Sequence, residues 1–263
     1  LIIQDPKPYF KRRQTLKKSL KIFTPKQKIS ESGFSKLNGK DLPHFEEVLN
    51  YWIAKSKDII NNNKKKKTKY SRNLLSQNEI LEHIPTLEFA LSEDLLLIVG
   101  EYLGSAPSFH SVSLWWGKTG AIDAGSPFFH LDSLDTSCVR MYLYLSDVNE
   151  DSGPFCVIPK KETLDFTNKT GYLGNSLADE NVFKEISPAS LKKLTGDSGS
   201  IFAIDATNSL HYGSRCSKSD RVVMVISYAS YYNDDNQVSF LKSLKKLENP
   251  SRLQQMAYDH FSV

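Results

Sequence analysis

The apolar positions in the first part of the chain follow a helical period. Residues 42–60 and 92–102 each place apolar side chains three and four positions apart, which predicts two amphipathic helices. Between them Ser76, with Glu79 three residues later, has the pattern of a helix N-cap. Residues 1–40 carry no clear period, and we expect them to form an extended, loosely packed lead-in.

After residue 104 the pattern becomes that of short strands rich in β-branched and aromatic residues. Six such segments are predicted, at 109–116, 139–145, 155–158, 200–204, 210–213 and 222–228. Residues 163–194 are polar, and we expect an insertion that serves as a lid or a wall of the site. Residues 239–260 return to helical spacing. Helices followed by many strands predict an α+β fold in which a barrel or jelly roll carries the chemistry.

Composition narrows the class of protein. Hydrophobic residues make up 40% and charged residues 24% of the 263 residues, as in an ordinary globular protein. No run approaches the ~18 apolar residues of a membrane span, so we expect no membrane partner. The three cysteines show neither a disulfide framework nor a zinc-binding spacing, which favours a reducing, cytoplasmic compartment.

The net charge of +4 comes largely from basic residues in the first seventy positions. The main contributors are residues 11–13, Lys17, Lys18 and the run at 64–67. A patch for nucleic acid and a solvated surface both fit this pattern. Because no nucleic-acid motif accompanies the basic runs, we favour the solvated surface and do not expect a nucleic-acid partner.

Two potential metal ligands, His130 and Asp132, stand two residues apart in a strand-like segment. Side chains at i and i+2 of a strand point to the same face. His211, in a later predicted strand, is the best third candidate. Two histidines and one carboxylate form the facial triad of non-haem Fe(II) oxygenases, which leaves coordination positions open. Taken singly, each histidine is more often a structural residue than a metal ligand.

Arg221 follows His211 by ten residues, a spacing that a hairpin turn between neighbouring strands would accommodate. A guanidinium can bind a carboxylate through two parallel hydrogen bonds. The order HxD, His, Arg therefore predicts Fe(II) held by the triad and the cosubstrate 2-oxoglutarate held by Arg221, with O₂ as the oxidant. A cupin-like metal-dependent isomerase or hydrolase, in which Arg221 is structural, is the alternative.

Several phrases along the chain together resemble the phytanoyl-CoA dioxygenase family. They are LSED at 91–94, YLG at 102–104, HLD at 130–132, RMYLYLSDV at 140–148, EDSGP at 150–154 and VIP at 157–159. The resemblance extends over about residues 85–232. It implies a double-stranded β-helix, dioxygenase chemistry with Fe(II) and 2-oxoglutarate, His130, Asp132 and His211 as ligands, and Arg221 as the carboxylate clamp. The family's PGSH phrase is here PKKE, and Leu131 stands where a polar residue is common.

The same resemblance sets the expected organisation of the chain. We expect one structural domain, with a basic, partly helical lead-in at 1–84 packed on the barrel, a jelly-roll oxygenase core at 85–232 and a helical tail at 233–263. The carboxylate ligand Asp132 favours hydroxylation or another oxidation of a C–H bond over halogenation, because related halogenases lack that ligand.

Further candidates surround the triad. Arg140, Tyr142 and Ser113 are expected to face the barrel interior and contact the cosubstrate, although core packing explains Tyr142 equally well. Of Trp115 and Trp116, we expect one to pack in the core. Asp135 fits either a hydrogen bond to a ligand or a turn. An anionic substrate would suit the cations expected near the barrel mouth, namely Lys118, Lys160, Lys161, Lys169 and Arg215.

Overall fold

The fold is described from a computed structural model. The described residues are 7–63, 72–120, 127–133, 137–172, 174–213, 215–230 and 247–258. Within these ranges no helix is long and apolar enough to cross a membrane. The three cysteines, Cys138, Cys156 and Cys216, are buried and form no disulfide bond with one another.

Five of the eight described helices lie before residue 108, two lie between later strands, and one follows the last strand. Their bounds are α1 (Lys7–Ile22), α2 (Phe45–Asn63), α3 (Gln77–Leu81), α4 (Ile84–Ala90), α5 (Glu93–Leu103), α6 (Lys160–Thr170), α7 (Asp179–Phe183) and α8 (Arg252–Tyr258). Ser76 and Glu79 form the expected capping box at the start of α3. Gly104 ends α5 at a φ of 71°, a conformation that glycine adopts without strain.

The strands form two antiparallel sheets. They are β1 (Phe34–Leu37), β2 (Arg72–Asn73), β3 (Ser108–Gly117), β4 (Cys138–Tyr144), β5 (Phe155–Val157), β6 (Lys192–Leu194), β7 (Ile201–Asp205), β8 (His211–Tyr212) and β9 (Arg221–Ala229). The larger sheet has the order β1-β7-β4-β9-β3-β2, and the smaller has the order β6-β5-β8. The chain is therefore a mixture of helices and antiparallel sheet, with all six predicted strands in place.

Alternation along the strands separates two cores. On β4, Met141 and Leu143 point outward and pack with the helices. Tyr142 and Tyr144 point inward, toward the smaller sheet, and pack with Phe155. We call this side of the larger sheet the inner face. The candidate site residues of β3, β4 and β9 lie on this inner face, as their sequence numbers predict.

The expectation of an extended lead-in was wrong. Helix α1 covers Lys7–Ile22 and β1 joins the larger sheet through β7. The apolar stripe of α1 is too thin to identify from sequence, because its buried positions are Leu16 and the cation Arg12. The Arg12 side chain donates to the carbonyl of Ala106 at 2.9 Å, which offsets the cost of burying it. Helix α4 also went unrecognised.

Two expectations about the rest of the chain have separate outcomes. The insertion at 163–194 contains most of α6, together with α7 and β6, so it is more ordered than its polarity suggested. In the tail, Leu253 and Met256 are buried on α8 as helical spacing predicts. Residues 239–246, the run at 64–67 and Asp135 lie outside the described residues.

Candidate metal centre

A single antiparallel bridge brings the two candidate histidine ligands together. The backbone N–H of His130 donates to the carbonyl of His211 at 3.0 Å, and the reverse bond is 3.1 Å. Directly opposed residues of an antiparallel pair project their side chains to the same side. The two imidazole rings consequently lie with their centroids 4.3 Å apart.

Asp132, two residues after this bridge, completes the group of three candidate ligands. Its N–H donates to the carbonyl of Ala206 at 3.0 Å, directly after β7. Its Oδ1 lies 3.9 Å from Nε2 of His130 and 3.9 Å from Nε2 of His211. These separations are too long for hydrogen bonds. All three ligand atoms lie within 4.8 Å of one another, and this is the one such group among the described residues.

Both imidazoles are oriented by backbone carbonyls. Nδ1 of His130 donates to the carbonyl of Phe128 at 2.8 Å, and Nδ1 of His211 donates to that of Ser209 at 2.9 Å. The proton is thereby held on Nδ1, and the lone pair of Nε2 points toward Asp132. Burial lowers the pKa of His211 to about 4, against a smaller opposing effect of Asp132. His211 is therefore neutral near pH 7, the form that binds metal.

Arg140 lies against the carboxylate of Asp132. Its Nε is 2.7 Å from Oδ2, an ion pair whose angles do not make a well-aligned hydrogen bond. Oδ1 is left facing the two histidines. The sequence predicted a contact of Arg140 with the cosubstrate, whereas Arg140 here contacts the candidate ligand Asp132, whose carboxylate it would orient.

Replacing Arg140 by Gln is expected to weaken Fe(II) binding by about 10- to 100-fold, the usual effect of losing a partner of a ligand. The 2-oxoglutarate KM should stay within about threefold, because the loss acts through Asp132. Equilibrium metal titration and KM measurement separate the two effects. A large rise in the 2-oxoglutarate KM with unchanged metal affinity would show that Arg140 binds the cosubstrate instead.

Arg221 is buried at the start of β9. Its Nη1 donates to the carbonyl of Gly153 at 2.7 Å. Gly153 has a φ of 68°, and a Cβ there would lie 2.7 Å from the backbone N of Cys216, so this position requires glycine. Gly213 lies beside the guanidinium, since a Cβ on it would be 3.4 Å from Nη2 of Arg221.

Phe155 contacts the triad and lies near the clamp candidate Arg221. Its ring stacks on that of His211 with centroids 5.0 Å apart, and it packs against Tyr142 at 4.5 Å. A Cβ on Gly213 would also contact Phe155, at 3.7 Å. Arg221 and His211 thus border the same Phe155–Gly213 pair. Sequence reasoning missed Phe155, although it directly follows the EDSGP phrase.

The remaining inner-face candidates are Tyr142 and Ser113. Burial raises the pKa of Tyr142, so its phenol is neutral and can donate a hydrogen bond. Ser113 is two strands from Tyr142 and accepts a bond from the indole of Trp115 at 2.9 Å. Trp116 is buried, as expected of one of the two, whereas Trp115 is 40% exposed.

Arg215 holds the segment before His130 in place. Its Nη1 and Nη2 donate to the two carboxylate oxygens of Asp179 at 2.8 and 2.7 Å, and its Nε donates to the carbonyl of Pro127 at 2.7 Å. The guanidinium stacks 3.4 Å from the ring centroid of Tyr212. This arrangement ties α7 and Pro127 to the strand that carries His211.

Arg215→Lys keeps the charge but loses the bidentate geometry, so we expect about 1–2 kcal/mol lower unfolding free energy. Denaturant unfolding of R215K, D179N and the double variant tests the pair. The double variant should be less destabilised than the two single effects combined, whereas strict additivity would show that Arg215 and Asp179 do not interact energetically.

The cations proposed near the barrel mouth mostly have carboxylate partners. Lys160 pairs with the buried Asp205 at 3.0 Å and Lys169 pairs with Glu185. Arg215 pairs with Asp179, as above, and Lys118 lies over the ring of Trp116. These contacts give three of the five cations a structural role, which the sequence did not distinguish from attraction of a substrate.

Comparison with known proteins gives structural likeness alone. No family model and no curated protein matches the sequence. HygX from Streptomyces hygroscopicus, solved with nickel and 2-oxoglutarate, is 16% identical and has a TM-score of 0.51; the match covers 80% of this chain and 85% of HygX. EctD from S. alaskensis is 13% identical with a TM-score of 0.51, covering 75% of this chain and 73% of EctD.

A third similar structure is the epimerase SnoN in complex with Fe³⁺, alpha ketoglutarate and nogalamycin RO. It is 13% identical with a TM-score of 0.50, and the match covers 94% of this chain and 93% of SnoN. At such identities the comparison establishes a shared fold. The chain therefore has the fold of these proteins, and its chemistry has to be inferred from its own site.

Proposed function

We propose that this chain is a Fe(II)/2-oxoglutarate-dependent dioxygenase of the phytanoyl-CoA dioxygenase family. It oxidises a C–H bond of a small organic substrate and releases succinate and CO₂. The observation that carries the proposal is the convergence of His130, Asp132 and His211, with both Nε2 atoms directed at one carboxylate oxygen.

The donor set fits ferrous iron. Two neutral imidazoles and one carboxylate on one side of an ion are the facial triad, which leaves three positions for a chelating keto acid and O₂. A structural zinc site would need a fourth protein ligand. Among the described residues no fourth His, Cys, Asp or Glu joins the group.

A double-stranded β-helix is the fold that best accounts for the two sheets. Inner-face residues of β4, β7 and β9 pack against β5 and β6 of the smaller sheet, so one cluster fills the space between the sheets. The fold likeness to HygX and SnoN, whose crystals contain 2-oxoglutarate, supports this arrangement. We propose a single domain with its core at 85–232, in a cytoplasmic protein.

The chain's own residues would position the reactants. His130, Asp132 and His211 would hold Fe(II), which with 2-oxoglutarate and O₂ supplies the oxidising chemistry. Arg221, which borders Gly213 two residues after His211, would bind the distal carboxylate of 2-oxoglutarate. Phe155 and Tyr142 are buried and in ring contact, so they would exclude water from this side of the centre. Arg140 keeps Asp132 turned toward the histidines.

Anaerobic titration tests the proposal directly. Adding Fe(II) and 2-oxoglutarate to the protein should produce a weak visible charge-transfer band, and adding O₂ should yield succinate even without substrate. The His44→Ala variant is the control, because His44 is partly exposed and lies near Glu47 and Glu88 instead of the triad. Absence of the band in well-loaded wild-type protein would contradict the proposal.

The fold does not fix the reaction outcome. EctD has been solved with 5-hydroxyectoine, whereas SnoN is an epimerase. Mass spectrometry of the product distinguishes hydroxylation, which adds one oxygen atom, from epimerisation, which leaves the mass unchanged. Turnover that needs no O₂ would favour the cupin-like isomerase or hydrolase instead.

A further inference from the structure

The positive charge of this protein is concentrated in one segment. Residues 7–30 contain nine of the 34 basic residues and none of the 30 acidic ones, which leaves 25 basic against 30 acidic residues elsewhere. A uniformly solvated surface would mix the two signs. This segregation points to a partner with negative charge.

Helix α1 presents these cations on a fixed surface. It packs on α5 and α8, which are themselves part of the core on the outer side of the larger sheet. Arg12 and Leu16 face the protein and are buried. The other basic side chains of residues 7–30 are exposed, namely Lys7, Lys11, Arg13, Lys17, Lys18, Lys21, Lys26 and Lys28. We call this surface the basic face.

Apolar side chains lie within the basic face. Phe10 is 54% exposed, Ile22 is 89% exposed and Phe23 is 39% exposed. By helical geometry Phe10 lies on the side of α1 opposite Arg12 and Leu16. Lys17 and Lys21 lie on the same side as Phe10, two and three turns further along the helix. Three of the seven large hydrophobic residues exposed in the described part of the chain therefore belong to this one surface.

We propose that the basic face binds the surface of a bilayer rich in anionic phospholipid. Clusters of four to eight lysines or arginines on a helix are attracted to such surfaces. Phe10, Ile22 and Phe23 would enter the headgroup region, where exposed apolar side chains lose contact with water. A peripheral contact needs no membrane span, so the expectation of no membrane partner, which rested on span length, is amended.

Two features favour lipid over nucleic acid. Seven of the eight exposed cations are lysines and one is Arg13, whereas arginine is the preferred cation for nucleic-acid recognition. An aliphatic side chain as exposed as Ile22 also gains little in a nucleic-acid groove. The basic face and the metal centre lie on opposite sides of the larger sheet, so a bound bilayer would leave the centre open to the aqueous side.

Co-sedimentation with vesicles tests the inference. The full chain should bind vesicles of 30% phosphatidylserine in phosphatidylcholine but not vesicles of phosphatidylcholine alone, and 1 M salt should release it. Each lysine near the surface contributes about fivefold in affinity, so K17Q/K18Q/K21Q should bind about 100-fold more weakly. Phe10→Ser should weaken binding severalfold at unchanged charge.

The matched control is K55Q/K57Q/K184Q, which removes three exposed lysines from α2 and the end of α7. It changes the net charge equally and should bind like the wild type. All variants should melt as the wild type does and keep its succinate release. Equal losses in both triple variants, no binding to anionic vesicles, or tight binding to a 20-base DNA without vesicle binding would each overturn the inference.

Discussion

His211→Ala is expected to lower 2-oxoglutarate turnover by more than about 100-fold. Loss of a partner of a ligand typically costs 10- to 100-fold, so loss of the ligand itself should cost more. The side chain supplies Nε2 at 3.9 Å from Asp132 Oδ1, from a ring already held by the carbonyl of Ser209. Metal-dependent succinate release and Fe(II) titration measure the effect.

Because His211 is buried, the alanine variant needs a test of folding. His211→Gln fills more of the space, and both variants should retain the wild-type circular dichroism spectrum. His44→Ala, near Glu47 and Glu88, should retain full activity. Wild-type metal affinity in a folded His211→Ala protein would show that His211 does not bind the metal.

Arg221→Leu is expected to raise the 2-oxoglutarate KM by about 100-fold or more. Two charge-assisted hydrogen bonds of about 1.5–3 kcal/mol each would be lost with the guanidinium. Fe(II) affinity should change little, because Arg221 contacts Gly153 and borders Gly213, away from Asp132. Steady-state kinetics of uncoupled succinate release provide the measurement.

Arg221→Lys is the informative companion, because it keeps the charge and loses the fork of donors. We expect its KM to fall between those of the wild type and Arg221→Leu. Arg13→Leu, an exposed arginine of α1, should leave the KM unchanged. A folded Arg221→Leu protein with a wild-type KM would show that Arg221 is a structural cation.

The strands and the convergence of His130 with Asp132 could be predicted from local pattern. Tyr142 and Tyr144 face inward because alternation on β4 is regular, and the capping box at Ser76 is a short-range signal. His130 and Asp132 lie on the same side because they are two residues apart along the chain. In each case the information lies within a few residues of the feature.

Features set by long-range contacts could not be predicted this way. Helix α1 depends on Arg12, whose partner Ala106 is 94 residues away. The stack of Phe155 on His211 needs β5 and β8 to pair, and the contacts of Arg215 need α7 to reach the segment before His130. From charge alone, Arg12 and Arg215 would be predicted to lie at the surface.

X-ray absorption at the iron edge of the Fe(II)-loaded protein tests the central claim most directly. Two imidazoles and one carboxylate should surround the ion, and adding 2-oxoglutarate should introduce a chelate while both imidazoles stay bound. Fewer than two imidazoles around the iron, or their displacement by 2-oxoglutarate, would contradict the proposed centre of His130, Asp132 and His211.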